Sequence, residues 1–169
     1  HVIIPFFTPE GVAQAIALHR TTDALLVPTM IQMLVDDPAT ANYDLSCQQH
    51  ITYGASPISS AVLDRAQRTF PNASFIQAYG MTEVSPVATL LLPDDHKDPV
   101  LRTSAGRAAP HSEVKIVGPD HVELPRGEVG EVVVRGDHVM LGYWNQPDAT
   151  AAAVRDGWMH TGDGGRMDE

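Results

Sequence analysis

The chain has 169 residues, of which 43% are hydrophobic, and a formal net charge of -10 at pH 7. This length and composition predict one globular domain or two small lobes. The scattered acidic residues exclude the basic face that nucleic-acid binding requires, so no nucleic-acid partner is expected. A polyanion such as ATP would have to be bound by backbone N–H groups, a few side chains and a metal ion.

The single cysteine, Cys47, excludes a disulfide framework and predicts a reducing, cytoplasmic compartment. We expect its side chain to pack as a small, half-buried hydrophobic group and not to act as a nucleophile. The longest apolar stretch, residues 24–35, is interrupted by Pro28 and Gln32. It falls short of the ~20 residues that span a membrane, so no transmembrane segment is predicted.

The first half of the chain alternates predicted strands and helices. Apolar residues 2–7 predict a strand or the end of one. Thr8 and Pro9 then predict the N-cap and the first residue of a helix. That helix is expected to end near residues 20–22, and residues 24–27 predict a short buried strand.

A second helix is predicted from Pro28 or Thr29 to residues 36–38, where the sequence Asp-Asp-Pro ends it. Residues 39–49 are expected to form a loop with one helical turn. The residues expected to face inward from the second helix are Met30, Met33 and Leu34.

A strand is predicted over residues 49–53, and Ser56 with Pro57 then predicts the N-cap and first residue of a third helix. This helix is expected to end before residue 71 and to lead into a buried strand over residues 73–76. Its inner face is expected to contain Ile58, Val62 and Ala66. Such an alternation of strands and helices is typical of parallel α/β architecture.

Two polar segments follow predicted strands of this sheet: Gly54-Ala55-Ser56, and Tyr79 to Glu83. The carboxyl ends of parallel strands lie at one edge of a sheet, and ligands bind outside that edge. The sequence therefore predicts a ligand site there.

The stretch Gln77-Ala78-Tyr79-Gly80-Met81-Thr82-Glu83 has groups suited to a nucleotide. Tyr79 offers a ring face to a planar base, and Gly80 lets a ligand approach the backbone closely. Thr82 can donate a hydrogen bond to a phosphate oxygen, and Glu83 can ligate Mg2+. On this stretch alone an alternative is equally compatible, namely a turn at Gly80 with Thr82 and Glu83 capping a short element.

The second half of the chain has a different pattern. A segment rich in proline and charge, residues 93–99, predicts a linker. Residues 114–117 and 132–135 alternate in polarity and predict strands. Pro147 predicts the start of a short alanine-rich helix, which Gly157 is expected to end.

This change of pattern predicts the α/β fold class with two lobes. Residues 1–93 are predicted to form a parallel α/β lobe. Residues 94–169 are predicted to form a small, antiparallel, barrel-like β lobe. Tyr143 and Trp144 are expected in the core of this second lobe and not in contact with a ligand.

A family resemblance depends on motifs in a fixed order. The central ones are Tyr79-Gly80-Met81-Thr82-Glu83, Gly142-Tyr143-Trp144-Asn145 and Thr161-Gly162-Asp163. Three further stretches fit: Gly54-Ala55-Ser56, Ser104-Ala105-Gly106-Arg107 and Gly127-Glu128-Val129-Gly130-Glu131. With these motifs the chain resembles the adenylate-forming (ANL) superfamily, which includes acyl- and aryl-CoA synthetases, luciferases and adenylation domains of peptide synthetases. Met81 and the run over residues 142–147 resemble the acyl-CoA synthetases, or AMP-dependent ligases, most.

The resemblance implies a ligase that activates a carboxylic acid, here a fatty acid, with ATP and transfers the acyl group of the resulting acyl-adenylate to CoA. ATP or AMP, Mg2+ and CoA are the implied cofactors and co-substrates. Thr82 and Glu83 would be catalytic, with Thr82 bonded to the α-phosphate and Glu83 holding Mg2+. Tyr79 would stack on adenine, and Asp163 in the second lobe would accept both ribose hydroxyls. The other residues implied in nucleotide binding are Gly54, Ala55, Ser56, Gln77, Ala78, Gly80 and Met81.

The chain departs from the family pattern in several places. Gly164 stands where the family usually has an apolar residue. The Ser/Thr/Gly-rich phosphate loop with its lysine is missing, as are the hinge and the carboxy-terminal domain with the catalytic lysine. We therefore expect an internal fragment of the large N-terminal domain, which would be inactive or nearly so by itself.

Other readings remain open. The chain could be an adenylation domain that loads a carrier protein, or a non-catalytic structural or interaction module whose exposed sheet edges self-associate. Asp163 could be a turn residue, because Thr-Gly-Asp-Gly is turn-rich. The eight histidines show no metal-ligand spacing, and no role is predicted for His160.

Overall fold

The structure is a computed structural model that describes residues 1–168. Glu169, the last residue of the second predicted lobe, lies outside the described residues. The backbone divides into two compact units, one formed by His1–Tyr79 with Leu91–Gly106 and the other by Gly80–Leu90 with the residues from Arg107 onward. The sequence predicted two separate domains, residues 1–93 and 94–169, and that division stays a prediction.

The first unit combines helices with parallel strands. Its helices are α1 (Pro9–His19), α2 (Pro28–Asp36) and α3 (Ser60–Thr69). Its strands are β1 (Asp23–Leu26), β2 (His50–Gly54) and β3 (Ser74–Tyr79). β2 pairs in parallel with both β1 and β3. The predicted parallel α/β architecture is therefore confirmed.

Helix α1 begins where the sequence predicts. The Thr8 hydroxyl accepts a hydrogen bond from the Gly11 N–H at 3.1 Å, and Pro9 occupies the first turn. Val12, Ala13 and Ile16 are buried and join a core with residues of the other helices and strands. Cys47 packs against this core as the expected half-buried group, and its thiol lies 3.6 Å from the carbonyl oxygen of Ile16.

Two predictions about helix faces and starts are wrong. In α2, Leu34 is fully buried and Met30 packs against the core as predicted, whereas Met33 is 50% exposed and Ile31 is buried instead. Successive residues are about 100° apart round a helix, so the position before Leu34 points away from the core. Helix α3 begins at Ser60 and not at Pro57, because the Ser59 hydroxyl caps it by accepting the Val62 N–H at 3.3 Å.

Residues 2–7 are irregular and do not form the predicted strand. Ile3 is 88% exposed and Phe6 83% exposed. A strand needs a neighbour for its backbone hydrogen bonds, and among the described residues this segment has no ladder partner.

The predicted linker over residues 93–99 is folded at its centre. Asp95–Lys97 form a helical turn, and His96 is only 3% exposed. The His96 Nδ1–H donates to the carbonyl oxygen of Leu92 at 2.8 Å, and Nε2 accepts the Tyr53 hydroxyl at 3.0 Å. The proline and charge content of this segment predicted a linker, but the buried His96 side chain fixes the segment to the first unit.

The second unit is mainly antiparallel. Strand β4 (Thr89–Leu91) pairs through Thr89 and Leu90 with β5 (Arg107–Ala108). A separate sheet has the order β6-β7-β9-β8, with β6 (Glu113–Val117), β7 (Gly130–Arg135), β8 (Val154–Arg155) and β9 (Trp158–Gly165). All its pairs are antiparallel, which confirms the predicted second half of the fold class.

Helix α4 (Pro147–Ala153) starts as predicted but ends before Gly157. Asp156 and Gly157 have φ values of 51° and 79° and join β8 to β9. A two-residue Asp-Gly loop with positive φ at both positions is a favoured hairpin turn. The glycine therefore makes a hairpin and does not end the helix. Within residues 1–168, no helix combines the length and the apolar character needed to cross a membrane.

The buried His96 predicts a pH-dependent stability. Burial lowers the pKa of His96 from its ordinary value near 6.5, although the bond to Leu92 partly opposes this shift. The unfolded chain therefore binds more protons than the folded chain below about pH 6.5. We expect the free energy of unfolding to fall on acidification towards the lowered pKa, by ~1.4 kcal/mol for each unit of the shift.

Urea unfolding at pH 7.5 and pH 5.5 measures this effect. The variant His96→Gln should be less stable at pH 7.5 but should lose less stability on acidification. The exposed His19 at the end of α1 gives the matched control, because His19→Gln should keep the pH dependence of the unsubstituted chain. An unchanged pH dependence in His96→Gln would contradict the assignment.

Candidate functional site

The structure places two predicted segments at one end of the parallel strands in the first unit. Gly54 pairs with Ala78, and Tyr53 pairs with Gln77, so residues 54–56 follow β2 beside the end of β3. A Cβ atom on Gly54 would collide with the carbonyl oxygen of Ala78. Glycine is therefore needed for the two backbones to approach each other here. Strand β3 also includes Gln77, Ala78 and Tyr79, which extends it beyond the prediction.

The loop after β2 turns sharply. Ala55 has a φ of 68°, and Ser56 follows it as an exposed residue. Ser56 lines a cavity of about 240 Å³ together with Pro28, Thr29 and Gln32 of α2. Ser56 is thus available to a ligand, and its predicted capping role passes to Ser59.

Gly80 and the residues up to Leu90 belong to the second unit. A Cβ atom on Gly80 would collide with the carbonyl oxygen of Pro86. Thr82–Val84 form one helical turn, with Val84 fully buried and Thr82 exposed. The buried Val84 therefore fixes the turn, while the Thr82 side chain is exposed and the Glu83 side chain is half-buried.

The Glu83 carboxylate has a defined partner. The Tyr143 hydroxyl donates to Glu83 Oε1 at 2.8 Å, and the Met140 N–H donates to the Glu83 carbonyl oxygen at 2.8 Å. The bond to Glu83 raises the pKa of Tyr143, because loss of the phenolic proton would place two negative charges side by side. Tyr143 is itself held by its N–H, which donates to Thr150 Oγ1 at 2.9 Å.

This arrangement corrects the expectation for the aromatic pair. Tyr143 is half-buried and orients a predicted metal ligand, whereas Trp144 is 88% exposed and is not part of a core. The sequence reasoning missed the role of Tyr143. No local pattern reveals it, because the hydroxyl and the carboxylate are 60 positions apart.

Asp163 lies on a bulge of strand β9. Val133 pairs with His160 and Glu131 pairs with Gly164, so residues 161–163 of β9 face only Val132 of β7. Gly162 has a φ of 76°, and Asp163 is exposed. Bulges bend a strand and re-aim its side chains. The turn-rich composition therefore makes a bulge inside a strand, and Asp163 is not a simple turn residue.

Side chains satisfy the backbone of this bulge. The Thr161 hydroxyl donates to the Val132 carbonyl oxygen at 2.7 Å and accepts the Asp163 N–H at 3.1 Å. Glu131 Oε1 accepts the Gly162 N–H at 3.0 Å, and Glu131 Oε2 accepts the His160 Nδ1–H at 2.8 Å. The sequence reasoning gave His160 no role. The glycine-rich run over residues 161–165 lay outside the strands predicted from the sequence, so the bulge was not anticipated.

The Glu83 carboxylate is a possible ligand for a metal ion, and its surroundings limit which ion it suits. Among residues 1–168, no group of three His, Cys, Asp or Glu side chains could hold a metal. Glu83 offers one further carboxylate oxygen, since only Oε1 is engaged by a described residue. Mg2+ commonly binds one or two carboxylates and keeps water and phosphate oxygens as its other ligands. A single half-buried carboxylate therefore suits Mg2+ brought in with a phosphate.

The predicted site residues thus fall into two groups. Gly54, Ala55 and Ser56 lie beside the strand end that contains Gln77 to Tyr79, all in the first unit. Gly80 to Glu83 and Asp163 lie in the second unit. The expectation that Tyr79 and Asp163 contact one nucleoside stays a prediction, as do the individual roles of these residues.

Comparison with known proteins gives a consistent result. The sequence profile of the family described as AMP-binding enzyme matches residues 1–144. A 4-coumarate–CoA ligase of Solanum tuberosum is 38% identical over 159 residues, which cover 92% of this chain and 29% of that protein. A medium/long-chain-fatty-acid–CoA ligase of Mycobacterium tuberculosis is 38% identical over 167 residues, which cover 99% of this chain and 29% of that protein.

The solved structure of the amide bond synthetase McbA from Marinactinospora thermotolerans is also similar. It superposes with a TM-score of 0.91 and 37% sequence identity, over 98% of this chain and 33% of that chain. The fold is therefore that of an α/β protein of the adenylate-forming superfamily. The chain belongs to the AMP-binding enzyme family, which confirms the resemblance stated from the motifs. It spans about 29% of the length of the two curated relatives.

The bulge beneath Asp163 predicts unequal effects of two glycine substitutions. Gly162→Ala should destabilise the chain by about 1 kcal/mol, because the left-handed φ of 76° is unfavourable for a residue with a Cβ atom. Gly164→Ala is the matched control, since its φ lies outside that region and its new Cβ would meet no described atom within 4 Å. It should change the stability by less than about 0.5 kcal/mol. Urea unfolding measures both, and equal losses would contradict the backbone argument.

Proposed function

We propose that this chain supplies nucleotide-binding and metal-binding residues to an AMP-forming ligase that joins a carboxylic acid to the thiol of CoA. The observation that carries the proposal is the family match over residues 1–144, which contains the whole motif from Tyr79 to Glu83. The hydrogen bond that orients the Glu83 carboxylate supports a metal-binding role for the same motif.

The proposed reaction has two steps. A carboxylate oxygen of the acid attacks the α-phosphorus of ATP, and the bond to pyrophosphate breaks, which gives an acyl-adenylate and pyrophosphate. The sulfur of CoA then attacks the acyl carbon after losing its proton, and the bond to AMP breaks, which gives a thioester and AMP. Catalysis of such transfers depends mainly on positioning and on stabilising charge at the phosphoryl oxygens.

The residue roles belong to the proposal. The Thr82 hydroxyl donates to an α-phosphate oxygen, and Glu83 with its oriented carboxylate holds Mg2+. When bound, Mg2+ neutralises part of the negative charge of the phosphates. The Asp163 carboxylate accepts hydrogen bonds from both ribose hydroxyls.

The adenine side of the proposed binding comes from the first unit. The Tyr79 ring stacks on the base. Gly54, Ala55 and Ser56 border the base, and Ser56 and the backbone provide polar atoms. Gln77, Ala78, Gly80 and Met81 complete the binding residues. The close approach of Gly54 to the Ala78 carbonyl oxygen supports this part, because it holds the strand ends that precede and contain these residues side by side.

The acid is proposed at the level of its class. The similar ligases are named for 4-coumarate and for medium- and long-chain fatty acids, which share a carboxylate on an apolar body. We infer an acid of this kind, with a fatty acid as the more specific proposal.

A second candidate function differs in the acceptor. Similarity to the amide bond synthetase McbA favours transfer of the acyl group to an amine. Analysis of products with CoA and with an amine in competition separates a thioester from an amide. Loading of a carrier protein is a third acceptor, which the same assay distinguishes by acylation of the protein.

A non-catalytic module that self-associates is the alternative from another class. Strand β1 pairs on one side with β2, and its Leu25 is 78% exposed. Gel filtration with and without AMP separates the two functions. An oligomer whose size and stability ignore AMP favours the module, and a monomer that binds AMP favours the ligase.

The proposed metal role predicts the behaviour of two variants of the 169-residue chain. Mg2+ should strengthen ATP binding by on the order of tenfold, since Glu83 would hold the ion and the ion would offset the negative charge of the phosphates. Glu83→Gln should lose this enhancement. Tyr143→Phe should reduce it, because the carboxylate is then no longer oriented. Titrations of ATP with and without Mg2+ measure the effect.

Tyr43 provides a matched control for Tyr143. Its hydroxyl donates to Glu10 Oε1 at 3.0 Å in the first unit, so Tyr43→Phe also removes a tyrosine–glutamate hydrogen bond. That variant should retain the full Mg2+ enhancement. An enhancement that survives in Glu83→Gln would refute the assignment of Glu83.

A further inference from the structure

The orientation of Asp163 depends on the two peptide groups that precede it. Gly162 adopts a left-handed φ of 76°, and its N–H donates to Glu131 Oε1 at 3.0 Å. The Asp163 N–H donates to Thr161 Oγ1 at 3.1 Å. Rotation of the Gly162 peptide would break the bond to Glu131 and swing the Asp163 side chain with it. The bond to Glu131 therefore acts directly on the direction of Asp163.

Glu131 uses both carboxylate oxygens for this purpose. Oε1 accepts the Gly162 N–H, and Oε2 accepts the Nδ1–H of His160 at 2.8 Å. The His160 side chain is only 10% exposed, whereas that of Glu131 is 32% exposed. Two bonds from different residues fix the carboxylate plane, so Glu131 cannot turn without losing one of them.

The surroundings keep the Glu131 carboxylate ordered and ionised. Burial acts to raise the pKa of Glu131, but hydrogen bonds from His160 and Gly162 and the charges of His160 and Arg155 hold it below its usual value. The His121 ring meets the His160 ring edge to face at 5.0 Å between centroids. Arg155 Nη1 lies 2.8 Å from His121 Nε2. An ionised carboxylate is a stronger acceptor than a neutral one, which strengthens its hold on the Gly162 N–H.

Recognition of a vicinal diol by Asp163 depends on how precisely its carboxylate is oriented. One carboxylate must meet two hydroxyls at once, and functional groups of this kind must be held within about 0.5 Å of the productive geometry. Asp163 lies on the bulge, so the geometry of the bulge sets where its backbone stands and in which direction its side chain leaves the strand.

We propose that Glu131 and His160 form a positioning pair that fixes the Thr161–Asp163 bulge and thereby aims Asp163 at the ribose hydroxyls of the nucleotide. This inference rests on the proposed ribose contact of Asp163. Neither member of the pair touches the nucleotide, and both act through the Gly162 peptide.

The test compares AMP with 2′,3′-dideoxy-AMP as ligands of the 169-residue chain. The ratio of their dissociation constants isolates the ribose contact, because the base and the phosphate are the same in both ligands. We expect the unsubstituted chain to prefer AMP by roughly tenfold or more, as hydrogen bonds to a charged acceptor allow. Asp163→Asn should remove most of this preference.

The positioning variants follow from the contacts. Glu131→Ala should reduce the preference several-fold and speed hydrogen exchange of the Gly162 amide. Glu131→Gln should retain most of it, since its amide oxygen can accept the Gly162 N–H while its NH2 group donates to the other tautomer of His160. His160→Phe keeps an aromatic ring but loses the Nδ1–H, and should reduce the preference to a smaller extent.

Glu128 supplies the matched control. It is an exposed glutamate in the turn before β7, so Glu128→Ala should preserve both the preference and the exchange rate of Gly162. If Glu131→Ala does not fold, His160→Phe carries the same test with a smaller expected effect.

The possible failures are distinguishable. If Asp163→Asn loses the preference for AMP but Glu131→Ala and His160→Phe keep it, the positioning pair is refuted while the ribose contact stands. If the unsubstituted chain binds both ligands equally or neither of them, the proposed ribose contact fails, and the positioning pair fails with it.

Discussion

Backbone groups that leave a regular ladder must find other partners, and this constraint shapes the chain wherever a strand ends or bulges. In the second unit the bulge of β9 places three residues opposite Val132, and the side chains of Thr161 and Glu131 satisfy the polar groups that this mismatch exposes. In the first unit the ends of β2 and β3 approach so closely that Gly54 has no room for a Cβ atom. Three candidate site residues, Ala55, Ser56 and Asp163, lie at these irregular positions, the first two after the end of β2 and the third in the bulge of β9.

The fold was predictable to the extent that it follows local rules. Thr8 and Pro9 start α1 as expected, and the alternation of strands and helices correctly indicates parallel pairing. The errors arise where a local rule had a close competitor. Ser59 caps α3 in place of Ser56, since both serines precede an apolar helical pattern and only the fold selects one. The burial of His96 could not be predicted, because its partner Tyr53 is 43 positions away.

The residues of the candidate site also divide into those that the sequence predicted and those that it missed. The central motif was predicted as a site from the chemistry of its side chains, and Asp163 only from a resemblance that depends on the order of several motifs. Spacing alone would not have separated these residues from turn residues. Tyr143, Glu131 and His160 were missed because each acts on another residue across the sheet or across a loop. The pairing of β7 with β9 brings Glu131 next to His160 and Gly162, and the fold brings Tyr143 to Glu83 although they are 60 positions apart. A local sequence pattern contains neither contact.

The hydroxyl of Tyr143 also makes its ring an internal chromophore. The near-ultraviolet absorption of a tyrosine responds to how strongly its phenolic proton is shared, and here the proton is shared with the Glu83 carboxylate at 2.8 Å. A cation that draws electron density from that carboxylate weakens its hold on the proton and shifts the band. Because three other tyrosines and two tryptophans absorb in the same range, the signal of Tyr143 is the difference between the spectra of the unsubstituted chain and of Tyr143→Phe.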